Sequence, residues 1–392
     1  MTAARPKITA AQRRARLGSR HLLAPAARAA APEQVARALV ALHATDPATV
    51  YLSVAARSAA ASVAELERAL YEDHALVRML CMRRTMFVLP AELAPVADAG
   101  AARAVAVRER KGLAKVIEEQ LGLGAQWFAA TQEEVLAALA ARGEATAAQL
   151  AEDVPALRAQ IVQAAGKPYE ARPRITSRFL GVLAAEGRIR RGRPLGTWAS
   201  SQFRWTVAEP HPELPAAEAR TELVTRYLDA FGPATTEDVK WWTGWTLTDT
   251  RKALAGSGAV EVDLDEGPGH ALPGSLAAPP DRGPWAALLP GLDPTPMGWR
   301  HRDWYLDTAH RAELFDNTGN IGPSLWWSGR IVGGWAQRAD GEIATHVFED
   351  VADLGADATA AIAAEAERLA EFFGDVRIRP SFRTPLERRL SA

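Results

Sequence analysis

At 392 residues the chain is too long for one apolar core and predicts two to four domains. Its 48% hydrophobic residues include no apolar run of the roughly 18 residues that a membrane span needs, and its single cysteine, Cys81, excludes a disulfide framework or a thiolate zinc site. The formal charge of −1 conceals a split: residues 1–210 hold 29 Lys and Arg against 19 Asp and Glu, the remainder 17 against 28.

Helices are predicted at 8–17, 32–42 (Pro32 at its first position) and 50–57, with Ser62 capping a fourth. The segments 76–82 and 85–89 predict a hairpin with Arg83 and Arg84 in its turn, and 91–120 a long connecting helix. Thr131 is placed to cap a helix over 132–142 and Thr146 the next one, each with an acidic or amide residue three positions on. Ile175, Phe179, Val182 and Leu183 make the apolar stripe of a further helix. Residues 188–191 and Phe203–Val207 predict the hairpin that completes a winged helix. The same order recurs from Glu218, with Thr236 as a cap, Thr246 opening the last helix and an acidic strand at Val260–Leu264. Beyond residue 284, short aromatic strands are expected at 285–289, 299–306, 325–327, Arg330–Gln337 and 342–348, then a helix over 358–373 capped by Asp357. The predicted fold class is α+β: tandem winged-helix (helix-turn-helix) units over 1–125, 126–212 and 213–270, followed by a β-rich C-terminal domain over 271–392.

The basic N-terminal half predicts a polyanionic partner, double-stranded DNA for a winged-helix protein, with an Arg-rich surface that merely accompanies composition as the alternative. Arg172, Arg174, Arg178, Arg188, Arg190, Arg191 and Arg193 are the candidate phosphate contacts of the middle unit, opposed there only by Glu186. Arg83 and Arg84 are a second candidate contact. The eight histidines are scattered without a His-x-x-x-His pair to seat a metal, so a metalloenzyme is not expected. His43 and Thr45 are spaced to project to one side of an extended link, just before Asp46-Pro47, an N-cap and first helical position. A neutral imidazole there can accept a proton from a water that the hydroxyl orients, and a buried, hydrogen-bonded histidine is the alternative.

Five segments carry a resemblance: LHATDPATVY (42–51), MRRTMFVLP (82–90), KWWTGWTLTDT (240–250), LPGLDPTPMGW (289–299) and Arg330–Gln337, RIVGGWAQ. In combination they are similar to the winged-helix DNA glycosylases of the AlkZ and YcaQ type, over nearly the whole chain. The resemblance implies tandem winged helices in a C-shape around DNA. It further implies hydrolysis of the N-glycosidic bond of alkylated purines, including crosslinks and bulky antibiotic adducts, without a metal or cofactor. The family's catalytic signature, Gln-x-Gln or Gln-x-Asp, falls on His43-Ala44-Thr45, which makes His43 and Thr45 the catalytic candidates. With an unperturbed pKa near 6.5, His43 is expected to act as a base. The motif holds no lysine, so a monofunctional enzyme is expected, acting as a cytoplasmic, nucleoid-associated monomer on DNA with alkylated purine lesions. A non-catalytic DNA-binding protein, a regulator or lesion binder, is the alternative. The chain lacks a Gly-x-Ser-x-Gly elbow, which argues against another hydrolase class.

Overall fold

A computed structural model describes residues 4–351, 353–380 and 383–392; residues 1–3, at the start of the 1–125 unit, lie outside the described residues. After α1 (Ala10–Arg20), one order of elements is written three times: helix, two-residue strand, two helices, hairpin. The first copy comprises α2 (Pro32–Ala38), β1 (Leu42–His43), α3 (Pro47–Ala55), α4 (Val63–Tyr71), β2 (Leu76–Leu80) and β3 (Met86–Pro90). A connector of α5 (Ala94–Ala97), a π-turn and α6 (Arg103–Leu121) follows. The second copy comprises α7 (Ala125–Arg142), β4 (Glu144–Ala145), α8 (Ala147–Asp153), α9 (Thr176–Ala185), β5 (Ile189–Pro194) and β6 (Phe203–Val207). The third comprises α10 (Ala216–Phe231), β7 (Ala234–Thr235), α11 (Thr236–Thr243), α12 (Leu247–Gly256), β8 (Val260–Leu264) and β9 (Gly267–Ala271). In each, the short strand pairs antiparallel with the second strand of the hairpin, giving orders β1-β3-β2, β4-β6-β5 and β7-β9-β8. That is the strand order of a winged helix, and the fold is α+β.

The C-terminal part is a four-stranded meander of β10 (Ala286–Leu289), β11 (Ser324–Trp327), β12 (Arg330–Gln337) and β13 (Ile343–Val347), with the short α13 (Arg311–Leu314) before β11. Its two last helices, α14 (Ala356–Phe373) and α15 (Pro385–Leu390), pack on β10 and β12.

Caps explain most helix starts. Asp46 accepts from the Ala48 N–H at 2.9 Å with Pro47 in the first turn of α3, and Thr146 and Gln149 form a reciprocal capping box. Four expectations are corrected. The helix α7 begins six residues before Thr131, because Phe128 carries its apolar face into the core and nothing in 125–130 breaks the helix; Thr131 is therefore buried in mid-helix. The cap of α11 is Thr235, whose box partner is Asp238. Gly355 caps α14, leaving Asp357 in the first turn. Residues 299–306 form turns rather than a strand, because Trp299, Trp304 and Tyr305 stack edge-to-face at 4.8 and 4.7 Å and the chain coils around them.

The apolar core is split. The second copy has a core of its own, built on Phe128, Leu139, Phe179 and Trp205. The first copy, the third copy and the C-terminal sheet share the other, which runs from Leu39 and Val50 through Tyr227 to Trp299 and Trp326. Arg57, at the end of α3, ties that shared core together. Its guanidinium reaches both carboxylate oxygens of Asp293 at 2.6 and 2.8 Å, the Thr295 hydroxyl at 2.8 Å and the His21 carbonyl at 3.0 Å, with both charged side chains fully buried.

Candidate active site and nucleic-acid interface

The His43-Ala44-Thr45 motif spans the end of β1 and the link into α3. Register with β3 places His43 opposite Phe87, and the two rings meet edge-to-face at 5.5 Å. Alternation along the strand and link does not put both side chains in one setting: His43 is 6% exposed, whereas Thr45 is open to solvent. The Thr45 N–H approaches His43 Nδ1 at 3.5 Å, so Nδ1 is the acceptor and the ring hydrogen is assigned to Nε2. Burial, with the Arg83 guanidinium nearby, depresses the His43 pKa to about 3. The expectation of an ordinary imidazole is thereby corrected. His43 is neutral at physiological pH and too weakly basic to hold a proton taken from water; it presents one donor and one acceptor, as an amide side chain does.

Thr45 and Asp46 open onto a cavity of about 170 Å³ between the start of α3, the loop between β5 and β6 (Ala199, Ser201), the loop after β10 (Pro290–Leu292) and α15. His43 is not among its lining residues. Two carboxyls that sequence reasoning gave no chemical role face the same space. Burial raises the Asp46 pKa, and burial, with the Asp46 charge adding to it, pushes Glu387 up to about 7. Glu387 lies more than 300 residues from the motif, so no spacing signal linked the two.

The candidate arginines divide. Arg174 and Arg178 are exposed at α9, and Arg172 is exposed with only a 4.0 Å approach to Glu170. The wing arginines are engaged within the protein. Arg193 bridges to Glu67 at 2.7 Å and to Glu72 on and after α4, Arg190 bonds His74 at 2.9 Å, and Arg191 lies over Phe203 at 4.2 Å. Arg188 sits 3.9 Å from Glu133. Glu186, expected to oppose this surface alone, is instead paired with Arg110. At the first hairpin Arg83 and Arg84 both adopt left-handed backbone, φ 54° and 60°. Arg84 is exposed and pairs with Glu109 at 2.8 Å, whereas Arg83 turns inward over the Trp241 ring at 4.0 Å.

Among the described residues one cluster, Asp238, Glu266 and His301, brings its ligand atoms within 4.8 Å of one another. Its lone pairs are already used: Asp238 accepts from the backbone N–H groups of Thr235, Arg300 and His301, and Glu266 pairs with Arg13. The cluster is a structural junction between α11 and the C-terminal sheet domain rather than a metal cage.

Residues 36–372 match a family described as AlkZ-like, DNA glycosylase AlkZ-like. The chain belongs to the AlkZ-like DNA glycosylase family. As a member it is a DNA glycosylase, a hydrolase whose substrate is DNA. Among solved structures, the Streptomyces sahachiroi DNA glycosylase AlkZ shares its fold, with a TM-score of 0.71 and 23% identity over 95% of this chain and 98% of that one. No curated protein matches the chain at significant similarity.

Other residues of the segments that carried the resemblance hold the AlkZ-like fold together. Asp293 and Thr295 receive Arg57. Gly298 lies beneath Phe231, where a Cβ would come within 2.4 Å of the ring. Gly244, at φ 74°, ends α11 and lets the Arg83 backbone approach, a Cβ there meeting the Arg83 nitrogen at 3.2 Å.

Proposed function

We propose that this AlkZ-like chain excises N3- or N7-alkylated purines, bulky adducts among them, by monofunctional hydrolysis at the His43–Thr45 link. An N-alkylated purine is already cationic. When its bond to C1′ breaks, the electron pair goes to the base and neutralises it, so no acid is needed. Water then bonds to C1′ of the oxocarbenium-like sugar and releases its proton to solvent. The protein's part is to hold the water and stabilise the developing positive charge. Exposed Thr45 orients the water, the Asp46 carboxyl beside it supplies negative charge, and neutral His43 serves as the hydrogen-bonding group that glutamine provides elsewhere in the family.

The observation that carries this reading is the pairing of a neutral, buried His43 with an exposed Thr45 and a half-buried Asp46 on a cavity at the start of α3. No amine is in the motif, which supports hydrolysis without a Schiff base. The exposed arginines in and just before α9, Arg172, Arg174 and Arg178, are proposed as phosphate contacts, and the 1–125, 126–212, 213–270 and 271–392 units as the arms and base of the clamp. Incubation with duplex containing N7-methylguanine tests the function. Abasic sites are expected, with no covalent trapping by borohydride. Abasic-site formation no faster than with His43→Ala contradicts the reading for that lesion, and a borohydride-trapped complex contradicts the monofunctional step.

A further inference from the structure

A second cavity, of about 340 Å³, adjoins the first across Asn320, which lines both. Its walls are the tip of the first hairpin (Arg83), α11 (Trp241), the turns before α13 (Met297, Arg300, Arg302), α13 itself (Arg311) and the 318–320 turn. Four arginines from three separate parts of the fold therefore converge on one space. Elsewhere the chain pairs its arginines freely with carboxylates, yet among the described residues none of these four is within ion-pair range of an acid. Asp316, which lines the first cavity and precedes the 318–320 turn, spends its oxygens on Thr318 and Asn320, at 2.8 to 3.0 Å.

The side chains are held ready for an anion. Trp241 is close to two of them, with the Arg83 guanidinium 4.0 Å and that of Arg302 5.1 Å from its ring centroid. The ring quadrupole attracts both cations and offsets their mutual repulsion. Arg302 is 5% exposed and gives its Nε to the Trp299 carbonyl at 3.2 Å, while Arg83 Nε is buried without a partner. Burial and the neighbouring charge together depress the Arg83 pKa to about 10. Desolvated like charges with no counter-ion are costly, and an anion with several oxygens relieves that cost through fork-shaped donors. A phosphate diester has that chemistry, and DNA supplies one on either side of every nucleotide.

We propose that Arg83, Arg300, Arg302 and Arg311 form a pocket for one DNA backbone phosphate, next to the nucleotide presented at Thr45. The pocket rests on the proposed reading in taking its phosphate from DNA and in placing the adjacent nucleotide at Thr45. It lies outside the surface that the charge split pointed to, since three of its arginines come from the acidic half of the chain.

The test is binding of the full chain to a duplex carrying a tetrahydrofuran abasic analogue, read over a salt series. The Arg300→Gln/Arg311→Gln double variant removes two exposed side chains, and each single variant is read the same way in case the pair disturbs folding. The expected result is weaker binding and a plot of log affinity against log salt that is shallower by about 1, the signature of one lost phosphate contact. A neutral methylphosphonate at the phosphate adjacent to the analogue should weaken wild-type binding and leave the double variant nearly unaffected. Unchanged affinity and slope in every variant overturn the pocket. Thermal stabilisation of the wild type by inorganic phosphate, with duplex binding unaltered by the substitutions, assigns the pocket to a free anion and overturns the DNA assignment. None of these readouts needs turnover, so a failure to excise any base leaves the result standing, and the reverse also holds.

Discussion

At the scale of single residues, His43 separates what sequence reveals from what it does not. Its position before Asp46-Pro47 and its spacing from Thr45 are visible in the sequence. Its protonation state is not, because burial against Phe87 and the nearness of Arg83 come from a strand pairing that only the fold creates. The same setting has a consequence for stability. His43 and His21 each titrate at 6.5 when unfolded and at about 3 when folded. Between those values the unfolded chain binds more protons, so the stability they confer is complete above pH 6.5 and is lost as pH falls toward 3. The loss is at most about 1.4 kcal/mol per pH unit for each histidine. Glu387, raised from 4.5 to about 7, works in the opposite sense between those values, its contribution being lost as pH rises. Urea unfolding of His43→Gln between pH 4 and 7 is therefore expected to show a shallower acid loss than the wild type. An identical slope would mean that His43 is protonated in the native state.

At the scale of elements, the caps and stripes that sequence analysis uses are local, and they were right where the competing signals were local too. Thr146, Thr246 and Ser62 cap as expected. Thr131 fails because Phe128, one turn earlier, is claimed by the core, and 299–306 fails as a strand because three aromatic rings prefer each other to a sheet. Asp46-Pro47 reads correctly as the start of α3, yet the far end of that helix holds its tightest anchor. Arg57 meets Asp293 236 residues away, a distance over which no sequence pattern operates. Arg57→Ala leaves the Asp293 carboxylate buried without its counter-charge, and a destabilisation of about 3–5 kcal/mol is expected in chemical denaturation. A loss below 1 kcal/mol would show that water or a rearranged neighbour satisfies Asp293, and that α3 is not held through this pair.

At the scale of the whole molecule, the three-fold repetition of one element order was legible, because each copy writes its own caps, stripe and hairpin. The way the copies assemble was not. The first and third copies merge with the C-terminal sheet into one core, whereas the second keeps its own and joins the rest through its wing, where Arg193 meets α4 and Trp198 packs on Tyr51 at 5.0 Å. That docking uses arginines that the charge split offered to DNA. The molecule that results places a free hydroxyl and a carboxyl on the cavity at the start of α3, with a neutral histidine buried beside them, and the proposed function requires that this arrangement suffice for excision. Single-turnover removal of N7-methylguanine as a function of pH, for the wild type, His43→Gln and His43→Ala, tests it most directly. The expected wild-type rate is level between about pH 5 and 8, with a His43→Gln rate close to it and a loss of about 100-fold in His43→Ala. A rate that rises with pH through about 6.5 and collapses equally in both variants would contradict it, because His43 would then be acting as the base.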